Sequence, residues 1–372
     1  MSTSGDTAIL IGSSPLMLLL AIKLSESHRV TLISDQSTLG GAWKTASVKN
    51  SPDVEIACHV IEPFPGVYEL LAKRSGVPFD DLDLQPIRVH PSGLKVRYFS
   101  RLTLALSLAY MSVMLVYYRG KSVFVAGRYK DDVANFSVKL RGLLRHQWTY
   151  LIKKAAMKGP RGGYARFLQG LIDQCRKAGV SFVQDRVTAI ERIGHSWHVS
   201  SASGTQFTAH SIHSSSSVPL LAATESRFET ETPRIVSRTS VLVDIPKQDV
   251  TNQYTYVAFW RNPMVRRLSR VESVTVPPDT SRFLFELGKQ FDNVNQDLVD
   301  HLQYAAKKAN LTTEIDARMI VDLVDCSTAL PGNQLEPGEA ETEFFTYYSF
   351  GNLAAGIATH MADLESLDMT TS

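Results

Sequence analysis

The sequence predicts an α/β protein, and three stretches carry that prediction. Residues 8–24, AILIGSSPLMLLLAIKL, read as a short apolar strand, a tight turn of small residues and a leucine-rich helix. Residues 29–33, RVTLI, add a β-branched second strand, and a right-handed crossover should leave the two strands parallel and adjacent. Residues 161–208 place another helix ahead of a series of short strands.

Taken in order, Ala8–Ile11 is the first strand and Pro15–Leu24 the first helix, where Pro15 suits the first turn because its missing N–H costs nothing there. A glycine pair follows the second strand in STLGGAW, Ser37–Trp43. A helix begins near Pro65 and ends at Gly76-Val77-Pro78. Strands at Ile87–Val89 and Leu94–Tyr98 flank the turn HPSG, and the stretch from 101 to about 158 reads as helical. Phe167, Leu168, Leu171, Ile172 and Cys175 fall at helical spacing, with Gly179 as the C-terminal cap. Val180–Val183, Val187–Ile193, Trp197–Ser200 and Thr205–Thr208 then form a small meander. Further strands are expected at Arg234–Val243, Tyr254–Trp260, Arg270–Val276 and Phe283–Leu287. A helix at Asn295–Lys308 is capped by Asn293 or Asn295, and a last helix runs from Gly351 to about Leu367.

Composition removes several classes. The 372 residues carry a net charge of +2, with 44% hydrophobic and 20% charged content, so no nucleic-acid partner is expected. Cys58, Cys175 and Cys326 are an odd, scattered set that fits a reducing compartment, and neither cysteines nor histidines fall at metal-ligand spacing. Ser215 with a nearby histidine lacks the G-x-S-x-G elbow of a hydrolase. Ser2–Thr7 holds an Asp and no Lys or Arg, so the expectation is a cytoplasmic chain. Leu102–Tyr118 is uncharged and sits at the lower edge of a spanning length. It reads as a buried helix or strand pair, as a peripheral membrane contact, or as a span.

The turn after the first strand carries the chemistry. A diphosphate needs close backbone approach and free N–H groups at a helix N-terminus, where the helix dipole also favours the anion. Gly12 supplies the tight turn; Ser14 permits a fairly close approach and can donate its hydroxyl. Met17 stands where a third glycine would let helix and strand pack closely, and should push them apart. After the second strand, Asp35 is the acid that could hold a ribose, with Ser34 at the usual position.

Read together, LIGSSPLMLLLAIKLSESHRVTLISDQSTLGGAWKT, RGGYARFLQGLIDQCRKAGVSFVQDRVTAIERIGHSWHVSSASG and YSFGNLAAGIATHMADLESL resemble, in chain order, three segments of the flavin-dependent amine oxidoreductase superfamily. FWRNPMVRRLSRVESVT, MIVDLVDCSTALPG and VEIACHVIEPFPGVYELLAKRSGVPF are similar to its protoporphyrinogen-oxidase and UDP-galactopyranose-mutase branch. The resemblance implies a Rossmann-like FAD-binding domain from 1–76, 159–218 and 331–372, with an inserted α+β substrate domain from 77–158 and 219–330. It implies an FAD-dependent oxidoreductase that draws hydride from an amine, alcohol or alicyclic small molecule. A non-redox flavin mutase acting on a nucleotide sugar, and a cofactor-free pseudoenzyme serving as a binding or assembly protein, are the alternatives.

Carried over residue by residue, the resemblance places Gly12, Ser14 and Pro15 at the pyrophosphate and Asp35 (or Ser34) at the ribose. Gly40, Gly41 and Trp43 would line the isoalloxazine edge, Val187 would touch the adenine, and Gly351, Asn352 and Leu353 would meet the flavin or ribityl chain. His59 would approach flavin or substrate, although a histidine after a strand also reads as hydrogen-bonded structure. Arg261 and Arg267, with Arg266 and Arg270, would clamp a phosphate or carboxylate, or else form a solvated basic face. Tyr347 would face the substrate or pack in the core. The sequence departs from the family pattern at the two missing loop glycines, at the shifted ribose acid and at the closing GD, which YYSFGN lacks.

Overall fold

The computed structural model describes residues 6–48, 51–61, 66–82, 86–90, 92–97, 157–215, 220–224 and 227–230, most of 234–330, the strand 345–348, and single positions at Ala105, Ala109 and Ile357. All of the expected last helix except Ile357, and nearly all of 102–118, lie outside the described residues.

The N-terminal unit forms as its sequence dictates: β1 (Thr7–Ile11), α1 (Pro15–Leu24) and β2 (Arg29–Ser34). Next along the chain come α2 (Val67–Ser75), α3 (Gly163–Lys177), β3 (Ser181–Gln184) and β4 (Ser211–Ser215). Strand 345–348, β4, β1, β2 and β3 make one five-stranded parallel sheet in that order. Its two faces are buried by different residues. Ala8, Leu10 and Leu32 face α1 and α3, while Ile9, Ile11 and Ile33 face Val187, Trp197 and Phe228. Burial on both faces is why β1 reads as an unbroken apolar run. The first helix is buried from Pro15 to Lys23, which accounts for a composition apolar all round. Met17 sits fully buried in the cluster that holds Leu10 and Leu32.

Four expectations need correction. Ser181–Gln184 leaves the meander and pairs with β2, because the parallel edge beside β2 was open to it. The meander of Val187–Ile193, Ser196–Ser201 and Gln206–Ala209 is completed instead by Leu220–Thr224 and Arg227–Thr230. The strand expected at 234–243 is broken into Arg234–Val236 and a separate strand beginning at Thr239. A strand not expected from the sequence lies at Val265–Arg270, where a bulge after Val265 breaks the alternation of VRRLSR; of the strand expected at 270–276, residues 272–275 lie outside the described residues.

The second large sheet is mostly antiparallel. Its central strands are β5 (Thr239–Pro246), β6 (Val265–Arg270) and β7 (Thr280–Leu287), and α4 (Gln296–Ala309) covers one face. The full order is Ile320–Asp325, β5, β7, β6, Tyr256–Phe259, Ile87–Val89 and Lys95–Arg97. Of the two caps the sequence offers, Asn295 is the one used: it accepts the Leu298 amide at 2.9 Å at the start of α4. The other face, with Leu242, Tyr256 and Leu284, packs on Val54, Ile56 and Cys58. Ser240 Oγ donates to the Ile56 carbonyl at 2.7 Å and Arg267 Nη1 to the Cys58 carbonyl at 3.3 Å. Segment 54–58 is therefore fixed to this sheet, and it presents His59 at the junction with the parallel sheet. Among the described residues no helix is long and apolar enough to cross a membrane.

Candidate functional site

The site grows from the carboxyl ends of the parallel strands. Strand order reverses between β1 and β4, since β2 and β3 extend to one side and strand 345–348 to the other. Such a switch point opens a crevice above the strand ends. There Gly12, at φ 99°, turns the chain out of β1, and its amide donates to the Ile33 carbonyl at 2.8 Å. Ser14 is the extended N-cap of α1 and Pro15 its first residue. The first intrahelical bond runs from the Leu18 amide to the Ser14 carbonyl, so the Leu16 and Met17 amides precede the hydrogen-bond ladder. The Ser14 hydroxyl is sealed from solvent without a hydrogen-bond partner among the described residues.

The glycine pair closes over this turn. Gly41 lies so near that a Cβ on it would stand 3.3 Å from Ser14 Cα, and its φ of 60° favours glycine in any case. At Gly40 a Cβ would meet Leu168 Cδ2 at 2.5 Å, so α3 packs directly against the loop. A hydroxyl network ties the pieces together. Ser13 Oγ accepts the Gly40 amide at 3.2 Å and lies 3.2 Å from Ser34 Oγ, which accepts the Gln36 amide at 3.3 Å. Asp35 is exposed, whereas Gln36 holds its Oε1 sealed and without a partner among the described residues.

An aromatic group follows the loop. Trp43 stacks on His59 with ring centroids 4.1 Å apart and planes 10° from parallel, and Tyr164 meets Trp43 edge-on at 5.3 Å. Glu55, 5% exposed, accepts the Tyr164 amide at 2.8 Å, placing a carboxylate at the N-terminus of α3 where the helix dipole favours it. Burial, reinforced by Glu55, raises the Tyr164 phenol well above its ordinary value. Burial and then Arg267 lower His59 from 6.5 to about 3, against a backbone hydrogen bond to Ala42 that favours the protonated ring. Arg267 itself lies 3.7 Å from the buried Glu286 carboxylate.

Several expected residues thus come together: Gly12, Ser14, Pro15, Gly40 and Gly41 around the α1 N-terminus, and Trp43, His59 and Arg267 beyond it. Val187 is buried in the cluster behind the sheet, with its carbonyl accepting Thr230 Oγ1 at 2.8 Å. Tyr347 lies on the edge strand, paired with Ser214 of β4. Arg261, Gly351, Asn352 and Leu353 lie outside the described residues. Gln36, Ser13, Tyr164 and Glu55 were not singled out from the sequence.

No protein-family model matches the chain, and no curated protein matches it by sequence. Solved structures do. A putrescine oxidase bound to putrescine is similar at TM-score 0.57 and 10% identity, over 98% of this chain and 99% of that one. An oxidoreductase from Methanosarcina mazei matches at TM-score 0.54 and 12% identity, covering 95% of this chain and 99% of that one. The chain shares their fold. A CLA-producing fatty acid isomerase from P. acnes is also similar, at TM-score 0.50 and 12% identity over 87% and 86% of the two chains.

The residues present fit part of the cofactor that the sequence resemblance implies. A sealed, unpartnered hydroxyl and helix-terminal amides beneath a glycine contact suit the diphosphate of FAD. The ribose end differs, because Ser34 offers a neutral hydroxyl already engaged by Ser13 and Gln36.

Proposed function

We propose that the protein is an FAD-dependent oxidoreductase whose cofactor domain comprises 1–76, 159–218 and 331–372. The remaining stretches, 77–158 and 219–330, supply the substrate side. The observation that carries this reading is the Ser14 turn: an orphaned buried hydroxyl at a helix N-terminus, at the strand-order reversal, with Gly41 in contact above it. When bound, FAD supplies the hydride acceptor for an amine or alcohol substrate. The chain supplies the rest. Ser14 and the α1 amides hold the anion, and the Trp43–His59 pair forms one wall of the reaction space. Gln36 Oε1 takes the ribose-acceptor role that the displaced acid vacates.

Replacing Gln36 by Leu is expected to weaken FAD roughly tenfold, the loss of about 1–1.5 kcal/mol for one hydrogen bond. A titration following flavin fluorescence checks this, and an unchanged affinity would remove Gln36 from the site. The reaction class is tested by adding a panel of primary amines and alcohols anaerobically to FAD-loaded protein. Bleaching of the flavin band by one of them is expected. Turnover of a nucleotide sugar only after chemical reduction, with no bleaching by the panel, would replace the oxidoreductase reading by the mutase one. A second reading, a cofactor-free binding protein, is favoured by the buried hydrogen bond between Ser13 and Ser34 where an acid would hold ribose.

A further inference from the structure

One end of the second sheet gathers arginines around a buried carboxylate. Arg267 of β6 and Glu286 of β7 are cross-strand partners, and Ser240 of β5 flanks Glu286 on its other side. The Cys326 amide bonds the Arg238 carbonyl at 3.1 Å, which extends the pairing of β5 by one residue. Arg238, two residues before Ser240, therefore shares its face of the sheet. Arg266 occupies the bulge after Val265, where β6 carries one residue more than β7. This face packs on residues 54–58: Ser240 bonds the Ile56 carbonyl and Arg267 the Cys58 carbonyl. His59, stacked on Trp43, follows directly.

The charges gathered here do not cancel. Glu286 is 5% exposed, and its Oε2 stands 3.7 Å from Arg267 Nη1 without a hydrogen-bond partner among the described residues. Arg267 Nη1 donates instead to the neutral Cys58 carbonyl at 3.3 Å, while 41% of the side chain stays open to solvent. Arg238 and Arg266 are also only partly buried. Among the described residues, the other acid at this end is the exposed Asp325, paired with Thr239, whereas Lys289 is engaged by Asp297 at 2.8 Å. Three guanidiniums against two carboxylates leave one positive charge in excess. Burial and then Arg238 lower Arg266 below the ordinary arginine value, as a like charge close by should.

We propose that Arg238, Arg266 and Arg267 receive an anionic oxygen group, a carboxylate or a phosphate, of a substrate whose body lies along the Trp43–His59 wall. A guanidinium presents five N–H donors in a fixed plane and pairs bidentately with either anion. The Cys58 carbonyl holds Arg267 in place, one residue from His59, so an anion on it brings the rest of the molecule to the aromatic pair. An ammonium group there would meet three like charges. The proposal rests on the oxidoreductase reading only for what becomes of the bound molecule: the amine or alcohol of that reading also carries an acid group.

The test titrates the full chain calorimetrically, with and without FAD, using 3-phenylpropionate, phenyl phosphate and 3-phenylpropylamine. At least one anion is expected to bind roughly tenfold or more tightly than the amine, and to weaken as salt is added. The tighter anion identifies the group as carboxylate or phosphate. Arg238→Met and Arg266→Met should each weaken that anion several-fold. Arg267→Met by itself would strand the buried Glu286 carboxylate, so it is combined with Glu286→Gln, and the double variant should weaken the anion roughly tenfold. Arg192→Met removes an equal charge from the exposed meander and should leave the affinity unaltered. An amine bound as tightly as the anions, anions bound alike by parent and cluster variants, an equal loss in Arg192→Met, or no binding of any probe at millimolar concentration would overturn the proposal. The titration without FAD reads the arginines alone. A chain that takes up no FAD therefore refutes the flavin reading and leaves the result for the arginines standing.

Discussion

Lowering the pH from 6.5 towards 4 is expected to unfold this protein steeply, through two neutral histidines. Burial and Arg267 hold His59 at about 3; burial and then His28 hold His213 of β4 at about 4. Both lie below the ordinary 6.5, so the unfolded chain takes up protons in this window that the folded chain refuses. Stability is therefore complete above pH 6.5 and falls as the pH drops, ceasing to fall through each histidine once its folded pKa is passed. Each contributes roughly 1 to 1.5 kcal/mol per pH unit, and the pair together a loss of several kcal/mol by pH 4. That is a large part of the 5–15 kcal/mol, in round terms about 10, that holds an ordinary domain folded. Urea midpoints measured from pH 7.5 to 4.5 should show the slope, and it should flatten in the His59→Leu, His213→Val double variant. An equal slope in the double variant would show that other groups carry the acid sensitivity.

Asp244→Ala is expected to cost about 3–5 kcal/mol, the scale for breaking a buried ion pair from one side. Arg282 of β7 is 5% exposed and meets Asp244 of β5 through two parallel bonds, Nε to Oδ1 at 2.7 Å and Nη2 to Oδ2 at 2.8 Å. The two residues are paired across the strands, so the contact also spans the centre of the second sheet. Removing the carboxylate strips a desolvated guanidinium of its bidentate partner, and water reaches it poorly. Adding Arg282→Met should recover most of the loss, because an apolar pair of similar volume has no charge to desolvate. Denaturant unfolding of the single and double variants checks both statements. A single variant within about 1 kcal/mol of the parent would place the pair among exposed ion pairs of little worth.

What the sequence shows and what it hides divide along physical lines. The β1–α1–β2 unit was readable because strand, turn and helix signals are local and the helix is apolar enough to be buried whole. Asn295 was readable for the same reason, since a cap is decided by the three residues after it. Strand pairing is not local. Nothing in SFVQ says that it joins β2 and leaves the meander, and the hydroxyl-rich SIHSS gives no apolar signal although Ile212, Ser214 and Ser215 are buried in the parallel sheet. The bulge after Val265 hid β6 by placing two arginines in succession where a strand pattern alternates. Around the first turn, Gly12 and Ser14 stood out because a tight strand-to-helix turn limits residue type, and Gly40 and Gly41 because of the family resemblance; the structure brings the glycine pair against the Ser14 turn. Gln36 and Tyr164 did not, because an amide with a sealed oxygen and a phenol beside a stacked histidine acquire meaning only once distant segments meet.

The central claim is that the cradle still works with two loop glycines replaced and the ribose acid displaced. An absorbance spectrum of the purified chain after incubation with FAD and removal of the excess tests it most directly. Bands near ~370 and ~450 nm, retained by the protein and diminished in a Gly41→Val variant, are the predicted result for a bound oxidised flavin. A colourless protein with an unshifted Tm would contradict the account.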